Sequence, residues 1–261
     1  MTLLPFSCAQ VAELVDAQVS GTCGATRVSS SLILGTILKK LRIGPIHWAF
    51  CRTGIIERMS IHLHQGDLPA NVSFGDSVAV DSEALGLSPK RDRLCLVQLS
   101  AGDGAVHLVQ FDGKDYSAPN LKKLLTDKKV TKIFHFARFD VGLFYAYLGV
   151  LTAPIYCTKL ASRLARTFTQ HHSLKTLCRD LLGVDMDKQQ QASDWGAEKL
   201  TPEQIEYAAS DVLYLHRLRE SLDEILAREG RNGLAAACFD FLPHRALLDI
   251  AGWAEEDIFE H

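Results

Sequence analysis

Three short runs of β-type residues follow one another between residues 77 and 111, and this succession constrains the fold more than any other feature of the chain. The runs are Ser77 to Glu83, Leu94 to Ser100 and Ala105 to Phe111. Segments rich in glycine and charged residues separate them, as turns do. Connections this short predict an antiparallel meander.

Helix and strand patterns alternate after the meander, and the chain then becomes mainly helical. The predicted elements are a helix from Pro119 to Leu125, a strand from Thr131 to Phe136, and helices Phe139 to Leu148, Thr158 to Ala165 and Ser173 to Leu182. A longer helix should begin at Thr201-Pro-Glu-Gln204, a capping box with proline at the first position, and run to about Arg228. This order predicts an α/β fold with a central mixed sheet flanked by helices in a single domain.

Residues 1–58 differ in character from the rest of the chain. They contain three acidic and six basic residues, a net charge of +3, against −6 for residues 59–261. The stretch from Ala12 to Arg27 resembles the conceptual translation of a transfer-RNA gene. We therefore interpret residues 1–58 as a non-native or disordered N-terminal extension and expect the native protein to begin at Met59. A basic targeting peptide is the alternative.

Composition argues against several functional classes. A formal net charge of −3 does not favour long, non-specific binding of a nucleic-acid duplex, although bound divalent cations can carry positive charge locally. The seven cysteines are scattered and form no Cys-x-x-Cys pair, which predicts neither a disulfide framework nor a zinc ribbon and favours a reducing cytoplasm. No apolar run reaches the roughly 18 residues that a membrane-spanning helix needs.

Acidic residues at three separate places in the chain are the candidates for chemistry. Asp81 and Glu83 lie two apart on an otherwise apolar strand, so both carboxylates point to one face. Asp140 opens a helix, and Tyr207 and Asp211 share one face of the capped helix. Each of these features alone has a more common structural explanation, such as a favourable acid at a helix N-terminus for Asp140.

The conjunction of these residues points to a metal site. If the three acidic segments meet at the C-terminal end of the first strand of the meander, their oxygens suit two Mg²⁺ or Mn²⁺ ions. Two such ions can stabilise the attacking and the leaving oxygen of an in-line displacement. Tyr207 could orient the attacking water.

These residues resemble the three exonuclease motifs of the DEDD family of 3′→5′ exonucleases. The motifs are Asp81-x-Glu83, Phe139-Asp140 and Tyr207-x-x-x-Asp211, and the tyrosine four positions before the last aspartate is typical of the tyrosine subclass. Gln98 and the block from Lys188 to Trp195 resemble ribonuclease D. Stretches such as His64 to Pro69, Arg91 to Cys95 and Phe241 to Phe259 resemble the smaller nanoRNase C group, and this resemblance covers essentially all of residues 61–261.

The resemblance implies an RNase H-like exonuclease fold over residues 59–261 with a C-terminal helical tail. It implies a homo-octameric ring and hydrolysis of very short RNA, especially dinucleotides, with catalytic residues Asp81, Glu83, Asp140, Tyr207 and Asp211. Leu87 matches the place where related enzymes insert an apolar side chain between two bases, but it could instead fill the core. Candidates for base stacking are His135, Phe136 and Trp195, for which core packing is the alternative. Candidates for the terminal phosphate are Arg138, Lys175, Lys188 and Gln191.

Two other functions fit the same motifs. One is an exonuclease of longer substrates, which trims transfer-RNA 3′ ends or degrades single-stranded DNA. The other is a non-catalytic nucleic-acid-binding protein on the same fold. The second is disfavoured because every predicted metal-ligand position carries an acidic residue.

Overall fold

The central sheet consists of six strands. In the computed structural model, residues 59–186 and 193–260 are described; the predicted extension at residues 1–58 and the candidates Lys188 and Gln191 lie outside them. The strands are β1 (Ser60–Gln65), β2 (Ser77–Ala84), β3 (Leu94–Ser100), β4 (Ala105–Gln110), β5 (Thr131–Phe134) and β6 (Ile155–Cys157). Their order is β1-β4-β3-β2-β5-β6.

The sheet is mixed, as predicted. β2, β3 and β4 form the antiparallel meander, while β5 and β6 add parallel to one side of β2 and β1 adds parallel to β4. Every residue of β3 is buried, because this strand lies near the middle of the sheet and is covered on both faces. β2 is also central, so the acidic residues on it lie in the middle of the sheet, where they are half-buried.

Helices cover the sheet. They are α1 (Pro119–Thr126), α2 (Ala137–Leu148), α3 (Thr158–Ala165), α4 (Leu174–Leu177), α5 (Pro202–Leu213), α6 (Leu215–Arg228) and α7 (Asn232–Leu248). α4 continues as a wider π-helical turn over Cys178–Leu182, and α7 does the same over Asp249–Trp253. None of the helices in the described part of the chain is long and apolar enough to span a membrane.

The single helix predicted from Thr201 to Arg228 is wrong, because the chain forms two helices separated at Tyr214. Its start is correct: the Thr201 side chain accepts from Gln204 N–H, and the Gln204 side chain accepts from Thr201 N–H. α5 packs across β2, β3 and β4, whereas α6 packs against α3 and β5. One straight helix does not follow both surfaces, so the axis changes direction at Tyr214.

The strand predicted to end at Phe136 ends two residues earlier. Phe136 has a left-handed backbone conformation, with φ 81°, and it is the residue before the first turn of α2. Such a conformation is uncommon for a residue with a bulky side chain. It turns the chain sharply from β5 into α2 and brings the start of this helix close to β2.

Candidate active site

The site is built on β2, which carries Asp81 and Glu83. Both side chains are half-buried and face α5. The pairing of β2 with β3 shifts register between Glu83 and Ala84. A shift of this kind bends a strand and redirects its side chains, so the acidic pair lies where β2 leaves the regular ladder.

α5 contributes Asp211 to the same place. Oxygen atoms of Asp81, Glu83 and Asp211 all lie within 4.8 Å of one another. The capping box fixes the start of α5, and its buried residues Gln204, Ala208 and Val212 fix its rotation against the sheet. Asp211 is therefore directed toward the sheet and is buried.

Asp140 approaches from α2, in the first turn of that helix. Its side chain is 3% exposed, and its Oδ1 accepts a hydrogen bond from Ser82 Oγ at 2.6 Å. Ser82 is the residue between the two acids of β2. Ser82 was not among the residues predicted from the sequence, although a serine between two acids on a buried strand is a signal that its hydroxyl needs a partner.

The electrostatics of these four carboxyl groups favour a bound cation. Burial raises the pKa of Asp81 well above its ordinary value, and the charges of Asp140, Asp211 and Glu83 raise it further. Burial, followed by the charges of Asp211 and Asp140, raises the pKa of Glu83 to about 9. Burial also raises the pKa of Asp140 to about 7. Asp81, Glu83 and Asp211, whose oxygens lie close together and whose charges oppose one another, form an oxygen donor set that fits hard divalent cations, and the charge of Asp140 adds to the same negative field.

Tyr207 stands beside this cluster. Its ring centroid lies 6.0 Å from that of Trp195. Burial raises the pKa of Tyr207, and the nearby charges of Asp211 and Glu83 and a hydrogen bond to Asp211 act in the same direction. The phenol therefore keeps its proton and serves as a hydrogen-bond group at the edge of the carboxylates.

Leu87 and Phe136 present apolar surface to solvent. Leu87 is 89% exposed, so the alternative in which it fills the core is wrong. Its loop is ordered by Asp92, whose Oδ2 accepts from Ser88 N–H at 2.9 Å. Phe136 is 44% exposed, and Lys159 Nζ lies 4.2 Å from the centroid of its ring. Lys159 was not among the sequence candidates, and no local pattern marks it.

The other substrate-binding candidates lie in more enclosed settings. His135 is half-buried, and its Nδ1 lies 2.9 Å from Thr158 Oγ1. Trp195 is 3% exposed, which favours core packing behind Tyr207 over base stacking. Arg138 forms a bidentate ion pair with Asp249 of the C-terminal segment, which favours a structural role for its guanidinium.

Comparison with known proteins gives one consistent result. Residues 67–227, more than half of the chain, match the family model described as 3′–5′ exonuclease. The ribonuclease D of Acidiphilium cryptum is 39% identical over 155 residues, which is 59% of this chain and 39% of that protein. The chain thus spans well under half the length of that relative.

Solved structures show the same likeness. Brucella melitensis NrnC (nanoRNase C) is 53% identical, with a TM-score of 0.76 over 78% of this chain and 100% of that chain. The same protein bound to pGG is also similar, with a TM-score of 0.76, and with bound Mg²⁺ the TM-score is 0.75. Escherichia coli RNase D, an exoribonuclease involved in structured RNA processing, is 26% identical with a TM-score of 0.60, over 66% of this chain and 45% of that chain.

Proposed function

Because the chain belongs to the 3′–5′ exonuclease family, we propose that it is a metal-dependent 3′→5′ exoribonuclease that hydrolyses short RNA, with dinucleotides as the favoured substrate. The observation that carries this proposal is the approach of Asp81, Glu83 and Asp211 to within 4.8 Å of one another. Asp140 is held beside β2 by its hydrogen bond with Ser82, and Tyr207 lies one helical turn before Asp211 on α5.

Asp81, Glu83, Asp140 and Asp211 would hold two divalent cations, Mg²⁺ or Mn²⁺. When bound, the cations would supply electrostatic stabilisation of the attacking and leaving oxygens in an in-line displacement. The protein contributes the positions of the ligands: a central strand fixes two of them, and the first turn of α2 and the capped helix α5 fix the others. Ser82 holds the Asp140 side chain by its hydroxyl.

Tyr207 would orient the attacking water. Its raised pKa keeps the phenol protonated at neutral pH, so it is poorly suited to act alone as a base. A hydroxyl beside Asp211 can instead fix the direction of a water molecule by hydrogen bonding. The packing of its ring against Trp195 limits the movement of that hydroxyl.

Two features support a short substrate. A dinucleotide carries little charge, so a chain with a net charge of −3 can bind it through cations and a few contacts, without a basic surface. Leu87 and Phe136 offer exposed apolar surface on segments directly after β2 and β5, where bases can stack. The similarity to a protein solved with pGG agrees with this substrate class.

The test is a time course with single-stranded RNAs of two to about twenty nucleotides, with Mn²⁺ or Mg²⁺. The proposal predicts that dinucleotides are converted to mononucleotides at least as fast as longer RNAs are shortened. Dinucleotides that accumulate uncut from longer RNA would reject the dinucleotide preference and favour the ribonuclease D-like alternative. An RNA left intact in all cases would reject the exoribonuclease function.

We further propose that the protein works in the cytoplasm as a homo-oligomer, with an octamer as the expected assembly. Trp253 and Phe259 near the end of the described chain are 44% and 71% exposed, so each presents apolar surface that a second copy can cover. The four cysteines among the described residues are free thiols, which suits a reducing compartment. Light scattering coupled to size exclusion measures the stoichiometry.

A further inference from the structure

Gln98, in the middle of β3, has a buried side-chain amide without hydrogen bonds. The side chain has no exposed surface, and within residues 59–186 and 193–260 neither its Nε2 nor its Oε1 has a partner. Gln110 on β4, the other buried glutamine of the sheet, donates to Ala197 O at 3.0 Å and accepts from Gln65 Nε2 at 3.0 Å. Because an unpartnered buried amide destabilises a fold, Gln98 calls for a functional explanation.

The sheet register places Gln98 next to the acidic cluster. It is directly opposite Asp81 on β2, so the two side chains share a face and their Cβ atoms are about 4.5–5.5 Å apart. On the other side Gln98 faces Leu108, and Leu96 lies beside it on the same face. Ser100, its other neighbour on β3, already donates its hydroxyl to Ala105 O. Among the polar side chains on this face of the sheet, Asp81 is the one directly opposite Gln98, whereas Glu83 and Gln110 lie on the diagonals.

We propose that Gln98 is a positioning residue for Asp81: its Nε2–H group donates a hydrogen bond to the Asp81 carboxylate when that carboxylate binds a divalent cation, and so fixes its orientation. This inference rests on the metal-dependent function proposed above. A carboxylate offers about four lone-pair sites, so it can accept from Gln98 and still face the cation. A neutral amide suits this task because, unlike a lysine or arginine, it does not compete with the cation for the negative charge.

Gln98→Met tests the proposal, because methionine nearly conserves the volume and removes the amide. Mn²⁺ affinity is measured by calorimetry without nucleotide, and the unfolding temperature of the metal-free protein is measured in chelator. Loss of a hydrogen bond that orients a metal ligand should weaken Mn²⁺ binding by about tenfold or more. The metal-free variant should unfold at the same or a higher temperature than wild type, since the unpartnered amide is gone.

Gln110→Met is the matched control, since it makes the same substitution on the next strand at an amide that has partners. It should lower the unfolding temperature, because Ala197 O and the Gln65 amide lose their hydrogen bonds, and leave Mn²⁺ affinity unchanged. Gln98→Asn is a second variant that retains an amide but withdraws it from Asp81 by one methylene. It should also weaken Mn²⁺ binding.

The outcomes separate the inference from the proposed function. A folded Gln98→Met or Gln98→Asn protein with wild-type Mn²⁺ affinity overturns the positioning role and leaves the metal-dependent function intact. If Gln98→Met and Gln110→Met lose the same amount of stability and both bind Mn²⁺ more weakly, Gln98 is a packing residue of the core, and the positioning role is also overturned. A wild-type protein that binds no Mn²⁺ overturns the proposed function, and the inference with it.

Discussion

Replacing Asp140 with asparagine is expected to abolish catalysis and at the same time stabilise the cation-free protein. Asparagine has the shape of the buried aspartate and can still accept the hydrogen bond from Ser82. It lacks the charge that a divalent cation needs from its ligand. Because a two-metal site then loses one of its anionic ligands, the rate should fall by about 10³-fold or more.

The stabilisation follows from the pKa of Asp140. Burial raises that pKa from 3.8 to about 7, so the folded protein binds the proton more tightly than the unfolded chain does. The contribution of Asp140 to stability is therefore fully present below about pH 4 and declines as the pH rises toward 7. At ~1.4 kcal/mol per pH unit, the ionised group costs the cation-free fold roughly 4 kcal/mol at pH 8. The coupled carboxyl groups share their protons, so we expect a measured gain of about 1–2 kcal/mol for the variant.

Urea unfolding in chelator at pH 5 and pH 8, together with the rate of dinucleotide hydrolysis in Mn²⁺, tests both parts. Asp103→Asn is the control, because Asp103 is exposed in the turn between β3 and β4 and its Oδ1 accepts from Ala105 N–H, which asparagine can reproduce. The control should match wild type in both assays. A rate for Asp140→Asn within about tenfold of wild type would reject its assignment as a ligand. An Asp140→Asn protein less stable than wild type at pH 8 would refute the electrostatic reasoning.

Three further changes have defined expectations. Tyr207→Phe keeps the ring against Trp195 and removes only the hydroxyl. Steady-state kinetics should therefore show kcat lower by about 10²-fold with KM unchanged, and a change in KM alone would contradict the water-orienting role. Leu87→Ala should raise KM for a dinucleotide about tenfold without altering the unfolding temperature, whereas Leu63→Ala, at an exposed leucine of β1, should change neither. Phe259→Ser should reduce the mass of the assembly in light scattering, and an unchanged mass would exclude this residue from the subunit interface.

A strand or helix could be predicted from the sequence where its pattern of apolar residues matches the surfaces on which it packs. β3 is recognisable because a continuous apolar run is what a strand buried on both faces requires. The break at Tyr214 is not recognisable, because the buried positions Asp211, Leu215 and Leu218 continue the helical period across it without interruption. Only the presence of two different packing surfaces, the sheet for α5 and helix α3 for α6, imposes the bend.

The same reasoning explains which site residues the sequence could identify. Asp81 and Glu83 alone do not identify a metal site, but acidic residues at several predicted inward-facing positions have few structural explanations together, since each unpaired buried charge destabilises the fold. An aromatic or an arginine has many structural explanations. Trp195 is buried, and Arg138 pairs with Asp249, which lies 111 positions later in the chain. No local pattern distinguishes these settings from contact with RNA. The sequence therefore identifies the candidate metal ligands more clearly than the residues that contact substrate. Acidic residues at predicted inward-facing positions can be recognised from local patterns. Whether an aromatic or arginine side chain packs in the core or binds RNA depends on residues that are distant in the sequence.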